Sequence, residues 1–153
     1  MALEETLAAL RALARPERLR ENARVAIPAD GLGVTIPELR ALAKTLRPDH
    51  ALALELWETG LHEARLLAGM VDDQELVTEA QLERWVGDFD SWDLCDGVCA
   101  LFERTQFAWA KAVEWAGREE EFVRRAAFTL MAYFAVHDKA AADERFVALL
   151  PVI

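Results

Sequence analysis

Apolar residues recur every three or four positions along almost the whole chain, and no stretch alternates as a strand would. In LEETLAALRALA (3–14), Leu3, Leu7, Leu10 and Leu13 share one helical stripe, which Arg15-Pro16 interrupts. ERLRENARVA follows, and IPADGLGV (27–34) reads as a loop of turn residues. TIPELRALAKTL opens with Thr35 as N-cap and Glu38 three residues on, the two halves of a capping box. Helices are predicted over 50–60 and 61–71, with Gly60 as the stop between them, then over 78–89, 91–104, 107–118 and 119–138. AADERFVALLPVI closes the chain. The pattern predicts an all-α fold of short antiparallel helix pairs stacked as a HEAT-like α–α superhelix. Nothing resembling a linker divides residues 1–153, which read as a single domain.

Composition narrows the classes. The formal net charge of −10 opposes a nucleic-acid binder in bulk, but binding answers to local charge. Two cysteines imply no disulfide framework and fit a reducing cytoplasm, the expected location. The first residues carry acids and lack a signal peptide's apolar core, and the charge-free run 126–137 is too short to span a membrane. Cys95 and Cys99 lie four apart, but zinc would need two more ligands, and His50, His62 and His137 have no supporting spacing. No metal or cofactor is expected. Trp57, Trp85, Trp109 and Trp115 sit among apolar residues at helical spacing and are expected in the core. Glu119, Glu120 and Glu121 fit a helix N-terminus.

Two segments depart from plain helical packing. At about 100° per residue, the helix over 91–104 puts Leu94, Cys95, Val98, Leu101 and Phe102 in one arc, the predicted core face. Trp92, Asp96, Cys99 and Glu103 fall on the opposite side. Two readings are open there: a neighbouring helix covers Trp92 while Asp96 caps or pairs it, or the tryptophan and the carboxylate line a ligand cleft. Asp93 belongs to the first helical turn, where Ser91 or Asp90 can cap, and is read as structural. The second segment, EFVRRAAFTLMAYFAV, is apolar nearly all round and is predicted to be central and buried. Arg125, on the side of Phe122, Thr129, Ala132 and Val136, then needs a partner, and the acids of 90–96 are the attractive candidates.

Three stretches in order resemble the AlkD-like DNA alkylation repair family, glycosylases built of HEAT-like repeats. GLGVTIPELRALAKTL is similar to that family's glycine–proline–basic-helix segment. FDSWDLCDGV is similar to its tryptophan–aspartate–two residues–aspartate motif, and EFVRRAAF to its aromatic-x-arginine segment. The resemblance runs from about residue 5 to the end. It implies a cleft tryptophan at Trp92, a catalytic aspartate at Asp96 and a cleft arginine at Arg125. The implied function is excision of cationic N3- or N7-alkylated purines from duplex DNA, without a base-flipping pocket.

The residue types suit that chemistry. An alkylated purine cation is already a good leaving group, so no strong general acid is needed. Positive charge builds on the deoxyribose, where a carboxylate and an aromatic face stabilise it. DNA-backbone contacts are expected from a local basic strip, with Arg40 and Lys44 one turn apart and Arg124 as candidates. The alternative is a HEAT-like module that binds DNA or protein without catalysis. Family members continue with further helices, so this chain reads as C-terminally shortened. Its apolar end, RFVALLPVI, is expected to be covered by a second copy, as a homodimer, or by polypeptide outside this sequence.

Overall fold

The computed structural model describes residues 2–153, and every regular element among them is helical. A first compact unit, ending at Val77, holds α1 (Leu3–Ala12), α2 (Leu19–Arg24), α3 (Ile36–Leu46), α4 (His50–Glu58) and α5 (His62–Val71). A second, Thr78–Ile153, holds α6 (Glu79–Gly87), α7 (Trp92–Phe102), α8 (Ala108–Ala116), α9 (Glu121–His137) and α10 (Asp143–Val147).

Local chemistry sets the helix ends. At α3 the Thr35 hydroxyl accepts from the Glu38 amide, while Glu38 Oε2 accepts from the Thr35 amide at 2.9 Å and its hydroxyl at 2.7 Å. Asp49 caps α4 through the Leu52 amide, and Thr78 caps α6 through the Gln81 amide. Gly60, at φ +69°, turns the chain between α4 and α5 as its position predicts.

Glu38 also accepts from Arg15 at 2.8 Å. The Thr35 amide and the Arg15 guanidinium together hold its carboxyl down to about 2, against an ordinary 4.5. A depressed carboxyl contributes stability above its unfolded value and loses it as pH falls through the folded value. The α3 cap should therefore be intact above about pH 4.5 and come apart as pH falls toward 2. The Thr35 and Glu38 amide resonances, followed through an acid titration, check this; resonances that move fully before pH 4 would count against it.

In the first unit α5 packs along α3 and α4, and α1 touches both α4 and α5. Leu10, Leu39, Leu56, Trp57 and Leu67 are fully enclosed. Burial of each such leucine contributes roughly 1.5–3 kcal/mol before ordering costs. Glu63, buried in the first turn of α5, turns inward. Its Oε1 accepts from the Leu32 and Gly33 amides, both at 2.8 Å, and so pins the loop that leads into α3. Gly33 has φ +75°, and a Cβ there would overlap the Arg15 carbonyl oxygen.

In the second unit α9 packs along α7 and α8 and also meets α6. The predicted core arc of α7, Leu94, Cys95, Val98, Leu101 and Phe102, is buried throughout. The Phe102 ring lies 6.0 Å from Phe89 and 6.0 Å from Trp115. An ionic cluster around the buried Lys111 side chain joins α6 and α8: Lys111 reaches Glu79 and Glu83 at 2.8 Å and Glu114 at 3.0 Å, the three carboxylates being open to solvent. The Trp115 indole donates to Glu83 at 2.8 Å.

Two expectations are corrected here, on α9 and on Trp109, and at Cys99 the covering-helix alternative holds: the residue is buried, because α9 covers that side of α7 and brings the Ala126 carbonyl oxygen to 3.9 Å from its sulfur. The helix α9 is central by its contacts but not enclosed. Arg124, Arg125, Ala132 and Val136 are exposed, and only Val123, Ala126, Ala127, Leu130, Met131 and Phe134 are buried. Trp57, Trp85 and Trp115 are core as predicted, whereas Trp109 is half-exposed. Its ring stacks on Phe134 at 4.2 Å and carries the Arg145 guanidinium at 3.8 Å. That contact seats α10, with Phe146 edge-on to Trp109. Leu149 is buried beside it, while Leu150 and Ile153 stay exposed, so the chain docks part of its own apolar end.

Candidate functional site

Trp92 opens α7, preceded by Ser91 in extended conformation. The Ser91 hydroxyl does not cap the helix; it donates to Asp93 Oδ1 at 2.6 Å. Asp93 is thus engaged within its own turn. One turn further along, Asp96 projects on the side where α9 crosses. Arg125 meets it with both arms: Nε to Oδ1 and Nη2 to Oδ2, each at 2.8 Å. The Thr129 hydroxyl adds a third bond to Oδ1 at 3.1 Å. Asp96 raises the Arg125 pKa further above its ordinary value, the hydrogen bond being the main cause.

The pairing is open to solvent. The side chain of Asp96 is 28% exposed and that of Arg125 44%. Trp92 is 38% exposed. The three bonds fill three of a carboxylate's roughly four lone-pair positions. One position on Oδ2 remains, and the Nη1 hydrogens of Arg125 are left for a second acceptor. This face therefore combines an aromatic ring one turn from a carboxylate whose charge is balanced, an accepting oxygen and a guanidinium fork. It can stabilise a cationic centre and hold an anionic group beside it.

The structure brings Asp96 and Arg125 into contact, with Trp92 one helical turn away. Arg124 is exposed on α9 next to Arg125. Arg40 and Lys44 are exposed on α3, in the first unit. Among the described residues neither meets a carboxylate at ion-pair distance, and Arg47 follows them at the helix end, also exposed. Between residues 11 and 47, eight basic side chains stand against four acidic ones, so an acidic chain carries a locally basic segment.

Periodicity already places Thr129 on the side of Arg125 but does not reveal its bond to Asp96. Tyr133 escapes the sequence reading altogether. Its hydroxyl donates to the Asp96 carbonyl oxygen at 2.8 Å. The available signal is the 125, 129, 133 spacing, one residue per turn along a single ridge. The ridge continues to His137, whose Nδ1 lies 2.8 and 2.9 Å from the two Glu103 oxygens.

A family model described as DNA alkylation repair enzyme matches residues 6–151. One solved structure, described as "a new family of proteins related to the HEAT-like repeat DNA glycosylases with affinity for branched DNA structures", is similar with a TM-score of 0.88 at 21% sequence identity. That match covers 99% of this chain and 66% of the other, so this chain spans just under two thirds of its length. At that identity the likeness bears on fold: the all-helical chain has the HEAT-like arrangement. No curated protein matches.

Proposed function

Since the chain belongs to the DNA alkylation repair enzyme family, we propose that it is a DNA glycosylase that releases cationic N3- or N7-alkylated purines from duplex DNA. The observation that carries this reading is the half-open Asp96 carboxylate, clamped by Arg125 and Thr129 and placed one turn from an exposed tryptophan.

The reaction asks little of the protein beyond charge placement. The alkylated base leaves as a neutral purine, and the deoxyribose becomes electron-poor as the glycosidic bond lengthens. The remaining lone pair of Asp96 faces that developing cation and orients the water that replaces the base. The Trp92 ring supplies π density to the same charge. Arg125 balances Asp96 and offers its outer N–H groups to the flanking phosphate. The test is release of 7-methylguanine from alkylated duplex DNA. Absence of release at saturating protein would refute the reading.

A second reading has its own observation. The structural relative is described by affinity for branched DNA, and a carboxylate already paired with arginine can equally be a rigid surface element. On this reading the chain binds junctions without excision. Tighter binding to a four-way junction than to duplex, with no base release, would favour it over the first.

Both readings need phosphate contacts. Replacing Arg40 and Lys44 together by Ala should weaken DNA binding and lower the slope of log affinity against log salt by roughly two, one for each lost phosphate contact. An unchanged salt slope would exclude this strip from the interface.

A further inference from the structure

Arg125, Thr129 and Tyr133 stand at successive turns of α9, and all three bond to one residue of α7, Asp96. Balancing a single carboxylate needs only the guanidinium, which already meets both oxygens. The Thr129 hydroxyl also has a local alternative, since threonine inside a helix commonly bonds the carbonyl one turn back. Here it donates across the helix pair instead. An arginine fork on a long side chain can swing together with the carboxylate it holds. A short, β-branched side chain is stiff at χ1 and does not follow. The first two bonds hold carboxylate and guanidinium in one plane, and the third anchors that plane to the backbone of α9 through a short side chain.

Tyr133 restrains the same residue from its other end. The phenol donates to the Asp96 main-chain oxygen and ties α9 to α7 at this level. Burial, then the Asp96 charge, push its pKa up to about 12, so it remains a donor at any working pH. We infer that Thr129 and Tyr133 are positioning residues that aim the free lone pair of Asp96 at the substrate. This rests on the glycosylase reading above.

The experiment is single-turnover release of 7-methylguanine by T129V and T129S, with duplex affinity and thermal melting measured on the same samples. T129V should be slower at saturating protein by roughly ten- to a hundredfold, the weight of one hydrogen bond to a charged acceptor. Its DNA affinity should match the parent, its melting should fall by no more than roughly 2–4 °C so that it stays folded under assay, and T129S should recover most of the rate. An unchanged rate in T129V overturns the inference, as does a rate loss that merely tracks loss of folded protein. If the parent releases no base, the glycosylase reading fails. The crystal structure of T129V then decides the positioning role: a rotated Asp96 carboxylate supports it, and an unmoved one overturns it.

Discussion

Asp96→Asn should slow release of 7-methylguanine by roughly 10²–10³-fold, the usual consequence of removing one preorganised electrostatic group from a reacting centre. The change is nearly isosteric and keeps an oxygen for Thr129 or Arg125 to meet. It removes the charge that would face the deoxyribose cation. Arg125 loses its counter-ion at the same time, so the local potential turns positive where the transition state needs it negative. Duplex affinity should hold or rise, because an unpaired Arg125 is freer to meet phosphate. The signature is thus a rate loss without a binding loss, read by single-turnover kinetics beside a salt-matched binding curve. Equal loss in both would recast Asp96 as a structural pair for Arg125, and an unchanged rate would remove it from the chemistry.

Lys111→Met should lower stability. The ammonium group is buried among Glu79, Glu83 and Glu114. Burial alone would lower its pKa, but bonds to the three carboxylates outweigh burial and raise it well above the ordinary lysine value. Burial likewise pushes Glu83 up, and the bonds from Lys111 and Trp115 reverse that, leaving it below the ordinary 4.5. Removing the lysine takes the shared cation from three partly exposed carboxylates, which water still screens, so the loss should be about 1–2 kcal/mol, the sum of several weak pairs.

The signs fix how this loss depends on pH. The contribution of Lys111 is complete below the ordinary lysine value and disappears only as pH rises through its raised value. That of Glu83 is complete above 4.5 and disappears as pH falls through its lowered one. The gap between parent and variant should therefore be flat near neutrality and shrink in acid, as the stranded carboxylates take up protons. Urea unfolding at pH 7 and pH 4, followed on amides of α6 and α8, measures both. A gap that widens in acid would show that the cluster is not what holds these helices together.

Helix ends were legible because their determinants are local. Thr35 with Glu38, Asp49, Thr78 and Gly60 each act within one turn of themselves, so a reader of the sequence sees the whole interaction. The core arc of α7 was legible for the same reason, since periodicity alone decides which residues share a side. What covers the other side is a long-range matter. Cys99 and Asp96 lie on neighbouring parts of that surface, and only the path of α9 buries one and leaves the other half-open. The same path explains why an almost wholly apolar helix keeps an exposed stripe, and why Trp109 ends up between Phe134 and Arg145 instead of in the core. Arg125 could be matched to the acids of 90–96 by kind, because a cation on an apolar helix needs a counter-ion. That Thr129 and Tyr133 join it on Asp96 depends on the registration of two helices separated by a third, which no local pattern encodes.

Gly33 limits the routes open to this sequence over generations. Its backbone conformation excludes ordinary side chains, and the Arg15 carbonyl occupies the volume any of them would need. A change at 33 cannot be rescued by trimming a neighbouring side chain, since the obstacle is main chain. It requires the segment at Arg15 to move, and with it both the Arg15–Glu38 pair at the start of α3 and the amides held by Glu63. Four widely spaced positions are thereby bound into one heritable unit, free to drift together or not at all.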